Sequence, residues 1–180
     1  MRWDRLFDDL EGQLAAQHLL ERDAEVADRT RRERALLTLH DRLLACVGQR
    51  VTLVCGAGEV AHGTVLEVGA GWVMLAAPPG VVLAHVPAVR SLAGLGQHAH
   101  VPGVVARSFG LGMALRAVCR DRAPVSVVDV TGATLTGTVD LVGADHLDLA
   151  EHPLDLPRRP ENVRGTRTIP YAALATLRRG

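Results

Sequence analysis

Residues 51–77 read VTLVCGAGEVAHGTVLEVGAGWVMLAA, and residues 125–151 read VSVVDVTGATLTGTVDLVGADHLDLAE. At an offset of 74 (125 − 51), Gly58 falls on Gly132, Gly63 on Gly137 and Gly69 on Gly143, and most apolar positions coincide. A chain that says the same thing twice is most economically two copies of one supersecondary unit. Each copy follows a helix-like run, RALLTLHDRLLACVG (34–48) and LGMALRAVCRDRA (111–123). Each also ends on an apolar-Pro phrase, HVPAVRSL (85–92) and TIPYAALATL (168–177).

Alternation sets the strands. Leu135, Gly137, Val139 and Leu141 make one apolar or small face, and Thr134, Thr136, Thr138 and Asp140 the other. Gly63 and Gly137 fall mid-strand, where glycine marks a sharp bend. A unit of one helix and about five short strands is expected, closed into a small barrel.

The order helix, apolar strand, turn glycine, then x-x-apolar-x-Gly-x-apolar resembles the first motif of the Sm/LSm family. Gly58, Val60, Gly63, Val65 and Val68 carry it in the first copy, and Gly132, Thr134, Gly137, Val139 and Val142 in the second. The resemblance covers roughly residues 34–93 and 110–178, and the whole chain is similar to uncharacterised proteins of high-GC Gram-positive bacteria. It implies a mainly β fold with some α: an N-terminal helical hairpin, then two Sm-like five-stranded barrels, each preceded by a helix. The corresponding divisions are residues 1–33, a first barrel over 34–93, a linker over 94–109 and a second barrel over 110–180. In the family, RNA binding uses an Asp just after the motif and an Asn four residues on. Here those slots hold Gly69 and Gly143, then Val73 and Leu147. A family Arg-Gly pair is found only as Arg164-Gly165, before the matching strand. The family's base-binding pocket is therefore not expected.

The copies differ in what they show outward. A three-residue loop at Gly143–Asp145 would set Val142 opposite His146, Leu141 opposite Leu147 and Asp140 opposite Asp148, leaving Asp140, His146 and Asp148 outside. The same register in the first copy pairs Val68 with Trp72 and Leu66 with Met74, so Leu66, Trp72 and Met74 would form an apolar outer patch. Charge follows the same division: residues 50–112 hold only Glu59, Glu67, Arg50, Arg90 and Arg107 as charged side chains. The expected cover is either the N-terminal helix, whose Trp3, Leu6, Phe7, Leu10 and Leu14 form a stripe, or a second subunit.

Asp140, His146 and Asp148, with Glu151 and His152 just past the strand, are the one cluster that hints at chemistry. Facing carboxylates need a positive partner. That partner could be a divalent metal held with His146, or Arg158, Arg159 or Arg164 from the insertion EHPLDLPRRPENVRGTRTIP (151–170). No metal or other cofactor is assigned. Arg158, Arg159, Arg164 and Arg167 are candidate phosphate contacts, but Tyr171 is the one nearby aromatic ring for base stacking.

Composition narrows the classes. Lys+Arg and Asp+Glu are both 20, so no net field draws the chain to nucleic acid or to a membrane. Cys46, Cys55 and Cys119 are odd in number with no zinc spacing, which reads as free thiols in the cytoplasm. No catalytic triad, phosphate loop or paired-Cys site is present. The expected function is a non-catalytic scaffold or regulatory interaction module that self-associates, as a dimer or with a protein partner, through barrel edges or the N-terminal helices. The alternative is an RNA-binding regulator using the Arg-rich loop, and a metal-dependent enzyme is third.

Overall fold

The computed structural model describes residues 18, 22, 24–32, 34–96 and 109–180. The chain divides into two compact units, Met1–Thr38 and Leu39–Gly180. In the first, residues 24–32 are helical, and Arg32 Nη2 meets Asp28 Oδ2 at 2.6 Å, the favourable acid-first spacing of four.

In the second unit, α1 (Leu39–Leu44) precedes β1 (Arg50–Cys55), β2 (Val60–Gly69), β3 (Trp72–Ala77), β4 (Gly80–His85) and β5 (Val89–Ala93). Then α2 (Leu111–Asp121) precedes β6 (Pro124–Asp129), β7 (Thr134–Val142), β8 (His146–Glu151), β9 (Gly165–Pro170) and β10 (Leu174–Arg179). The helix-like run over 34–48 is broken at 36–38 and its helix ends at Leu44. Thr38 stands just before α1 and Asp41 lies in its first turn, a pattern that starts a new helix instead of extending an old one. No helical hairpin forms among the described residues.

The expected pair of closed barrels is also corrected. All ten strands join one open antiparallel sheet in the order β5-β1-β2-β3-β4-β10-β6-β7-β8-β9. The physical reason lies in β10. It pairs with β6 on one side and with β4 on the other, through Thr176↔Ala84, Leu177↔Leu83, Arg178↔Val82 and Arg179↔Val81. Hydrogen bonding therefore runs on from one half to the next, satisfying the outer N–H and C=O groups of β4.

Within each half the pairing is the same. Val51↔Gly63, Val65↔Leu75 and Trp72↔His85 have the counterparts Val125↔Gly137, Val139↔Leu149 and His146↔Pro170. The offset is 74 up to β8. It becomes 85 from β9 on, because 165 − 80 = 85 and 174 − 89 = 85. Near the β2–β3 and β7–β8 turns the register differs by one from the expectation. Val68 pairs with Val73 and Val142 with Leu147, because Leu66 and Asp140 are extra residues in matching bulges. A bulge re-phases the strand beyond it. Val139 is accordingly 1% exposed, while Leu141, expected on the same inner face, is 48% exposed.

Two main apolar clusters fill the sheet. One gathers Leu43 and Cys46 beside α1 with Val51, Leu53, Val65, Val73 and Leu75. The other gathers Leu111 and Leu115 of α2 with Val125, Leu147, Leu149 and Leu177, and takes in Trp72 and Leu83 from the first half. Polar ties cross the same joint. Arg178 Nη2 donates to Glu59 Oε1 at 2.5 Å and to the Val60 carbonyl at 2.9 Å, and His85 Nδ1 lies 3.3 Å from the Leu174 carbonyl.

Burial pushes the His85 pKa below the ordinary imidazole value, against a smaller opposing pull from the Leu174 carbonyl. Folding therefore disfavours the proton. The stabilising difference is full above the ordinary value and is lost as pH falls through it toward the lower folded value. Between about pH 7 and 5, urea stability of the wild type should fall more steeply than that of His85→Gln, which keeps a donor but does not titrate. Parallel curves would contradict this.

Candidate interaction surfaces

The apolar patch expected outside the first half is mostly inside. Trp72 is 2% exposed. Its indole Nε1 donates to the Phe109 carbonyl at 2.8 Å, and its ring packs against Gly69, where a Cβ would run into the ring and into Phe109 O. This explains the glycine in that slot: any side chain there displaces the indole. The counterpart is Gly143 beneath the His146 ring. Met74, paired with Glu67, is half-buried against the α2 cluster. Leu66, the bulge residue, is 46% exposed. The cover on Trp72 is thus Phe109 and the α2 region of the same unit. Trp3 and Phe7, offered as the other side of the patch, lie outside the described residues. Beside Trp72 and Met74 a cleft of about 470 Å³ opens toward Met113, Val118 and Leu177.

The acidic cluster resolves into separate partnerships. Asp140 accepts from Arg158 Nε at 2.6 Å and Nη2 at 2.5 Å, and from Arg122 Nη1 at 2.9 Å. Asp148, which pairs with Leu141 across the ladder, accepts from Thr168 Oγ1 at 2.6 Å. His146 Nδ1 lies 2.8 Å from Asp145 Oδ1, a hydrogen bond that lowers the Asp145 pKa. The three residues named as metal candidates do not converge. Among the described residues no group of three or more His, Cys, Asp or Glu could hold a metal ion. The forked bond to Asp140, and then its charge, raise the Arg158 pKa.

Arg158 therefore ties the 152–164 insertion to β7 and, through Arg122, to the end of α2, where Arg122 takes a left-handed φ of 54°. Asp140→Asn removes the charge that Arg158 and Arg122 share and should loosen that loop. Trypsin cleavage at Arg158 and Arg164 should rise about fivefold, and an unchanged cleavage rate would show that the loop is held otherwise. Arg167 reaches Glu151 at 3.3 Å. Arg159 and Arg164 are exposed, with no ion pair among the described residues.

Sequence reasoning missed the two ends of the sheet. Among the described residues, β5 and β9 each have a strand on one side only. Gly80 of β4 has the backbone of Arg179 so close that a Cβ would strike its carbonyl oxygen; Gly165 of β9, its counterpart, has nothing within 4 Å of where a Cβ would stand. Among the described residues, Gly165 meets no steric demand for glycine.

Compared with known proteins, the chain matches no family model, no curated protein and no solved structure. No described helix is long and apolar enough to cross a membrane.

Proposed function

We propose that the protein is a non-catalytic scaffold that self-associates head to tail, the β9 edge of one copy pairing with the β5 edge of the next. The observation that carries this is Gly165. The internal β4–β10 joint needs glycine at Gly80 because another strand's backbone lies against it, and Gly165 keeps glycine where that strand is lacking. Applying the offset of 85 to the internal register sets Ser91 opposite Ile169, Leu92 opposite Thr168 and Ala93 opposite Arg167. Free edges of this kind are ready templates for strand addition. An interface that joins unlike edges is heterologous, so it closes into a ring or runs on as a filament.

The common pairing also supports an origin of both halves in one duplicated unit. The thiols favour a reducing, cytoplasmic setting. Cys46 and Cys55 are buried and free, and burial, followed by Glu59, pushes the Cys55 pKa up, which makes it a poor nucleophile. An RNA-binding role for the insertion draws less support, because Arg158 and Arg167 are already committed to Asp140 and Glu151.

Light scattering of the purified protein across a wide concentration range tests the proposal. Masses at multiples of 19.2 kDa that grow with concentration are expected, and a single-chain mass throughout would end it.

A further inference from the structure

The outer face of the first half carries a concavity that the second half fills with its own chain. In the second half, His152 is 2% exposed and lies over β7. Its Nε2 is 2.8 Å from Thr138 Oγ1 and its Nδ1 is 2.8 Å from the Pro153 carbonyl, while Thr136 Oγ1 donates to the His152 carbonyl at 2.9 Å. A carbonyl can only accept, so Nδ1 carries the proton and Nε2 accepts from the threonine. The counterparts of Thr136 and Thr138 are His62 and Thr64 (offset 74). There the β3–β4 connection is only Pro78-Pro79, since Ala77 pairs with Gly80, and no insertion folds back.

What remains is open space on both sides of Arg50 and His62. A cavity of about 440 Å³ extends from them toward Pro79, Arg178 and Arg179. A second, of about 460 Å³, extends toward Thr52 and Gly94. Both share Arg50 and His62, which stand on adjacent strands through the pairs Arg50↔Thr64 and Thr52↔His62. Among the described residues, no acidic side chain lines either cavity. Arg178 and Arg179 are already matched by Glu59 and Asp121. Arg50 is exposed and has no ion pair among the described residues.

We infer that Arg50 and His62 form a binding site for a phosphate ester, the phosphate resting between them and the organic body lying in one or both adjoining cavities. Arginine's planar fork suits a phosphate's oxygens, and each cavity has the volume of an ordinary small-ligand site. Nothing in the self-association reading requires this site, and its phosphate could belong to a free nucleotide or to a strand.

Calorimetric titration of the full chain with inorganic phosphate, with AMP and with a short oligouridylate tests the assignment. AMP or the oligonucleotide should bind saturably and more tightly than inorganic phosphate. Arg50→Gln should weaken binding about tenfold or more, His62→Gln should weaken it less, and Arg50→Lys should recover part of the loss. Arg159→Gln, on the far insertion, should change nothing. Equal affinity for AMP and oligonucleotide identifies a nucleotide site; a preference for the oligonucleotide that fades with salt identifies a strand site. No saturable binding at millimolar ligand, or the same affinity in Arg50→Gln, overturns the inference. Because Arg50 is exposed, both variants should melt with the wild type, so a lost signal reports the site and not the fold.

Discussion

Trp72→Ala should destabilise the protein by about 3–5 kcal/mol, the largest effect expected of any single side chain here. The indole is almost wholly buried and belongs to the cluster built by α2 and β6–β10, although it is carried by β3. Truncation leaves a void in the cluster of Leu83 and Leu177, fixed by their strand ladders, and Leu115, fixed on α2, so little collapse can fill it. Trp72→Phe should cost only about 1 kcal/mol. It retains most of the apolar volume, and the Phe109 carbonyl still accepts from Ala70 N–H at 2.9 Å. Urea unfolding followed by far-ultraviolet dichroism measures both. A loss below about 1 kcal/mol for Trp72→Ala would mean that the ring is not a core element.

The second large effect is a contrast between two matched glycines. Gly80→Val should destabilise the fold by about 3 kcal/mol, because the new side chain meets the backbone of β10 and the β4–β10 ladder must open to admit it. Gly165→Val should leave the melting curve of the single chain unchanged, since its Cβ has open space and valine suits a strand. Yet the same substitution should weaken self-association about a hundredfold, which light scattering reads as masses returning to that of one chain. Equal stability losses at both positions, or an unaltered assembly in Gly165→Val, would show that Gly165 has nothing to do with association.

Much of this architecture was legible, for identifiable reasons. The repeated phrase and its alternation located the strands, and α2 begins at Leu111 as its run suggested. The bulges at Leu66 and Asp140 were not legible. Neither residue is a glycine, and a bulge is set by the competition between turn geometry and the apolar pattern on both sides of it. The partner of β10 was equally hidden. Alternation says which face of a strand is buried, but not which neighbour completes its ladder, and that choice separates two closed barrels from one continuous sheet. Trp72 shows the same limit. Standing where the second half has His146, it reads as an outward apolar residue in need of a cover; the cover is the α2 region and the other half's core. At Asp140 the reasoning reached further. The expected pairing of Asp140 with Asp148 does not form, because Asp140 is the bulge residue and Asp148 pairs with Leu141, yet an arginine of the insertion, Arg158, does meet Asp140; Arg122 gave no signal because it lies beyond a helix end.

The position of β10 also governs when this molecule can be finished during synthesis. Its residues complete the ladder of β4, whose own residues are translated 94 codons earlier (174 − 80 = 94). Until β10 has emerged from the ribosome, β4 presents an unsatisfied edge and Trp72 has no finished core to enter. A nascent chain stalled just short of Leu174 is therefore the form of this protein most exposed to misassociation and most in need of a chaperone.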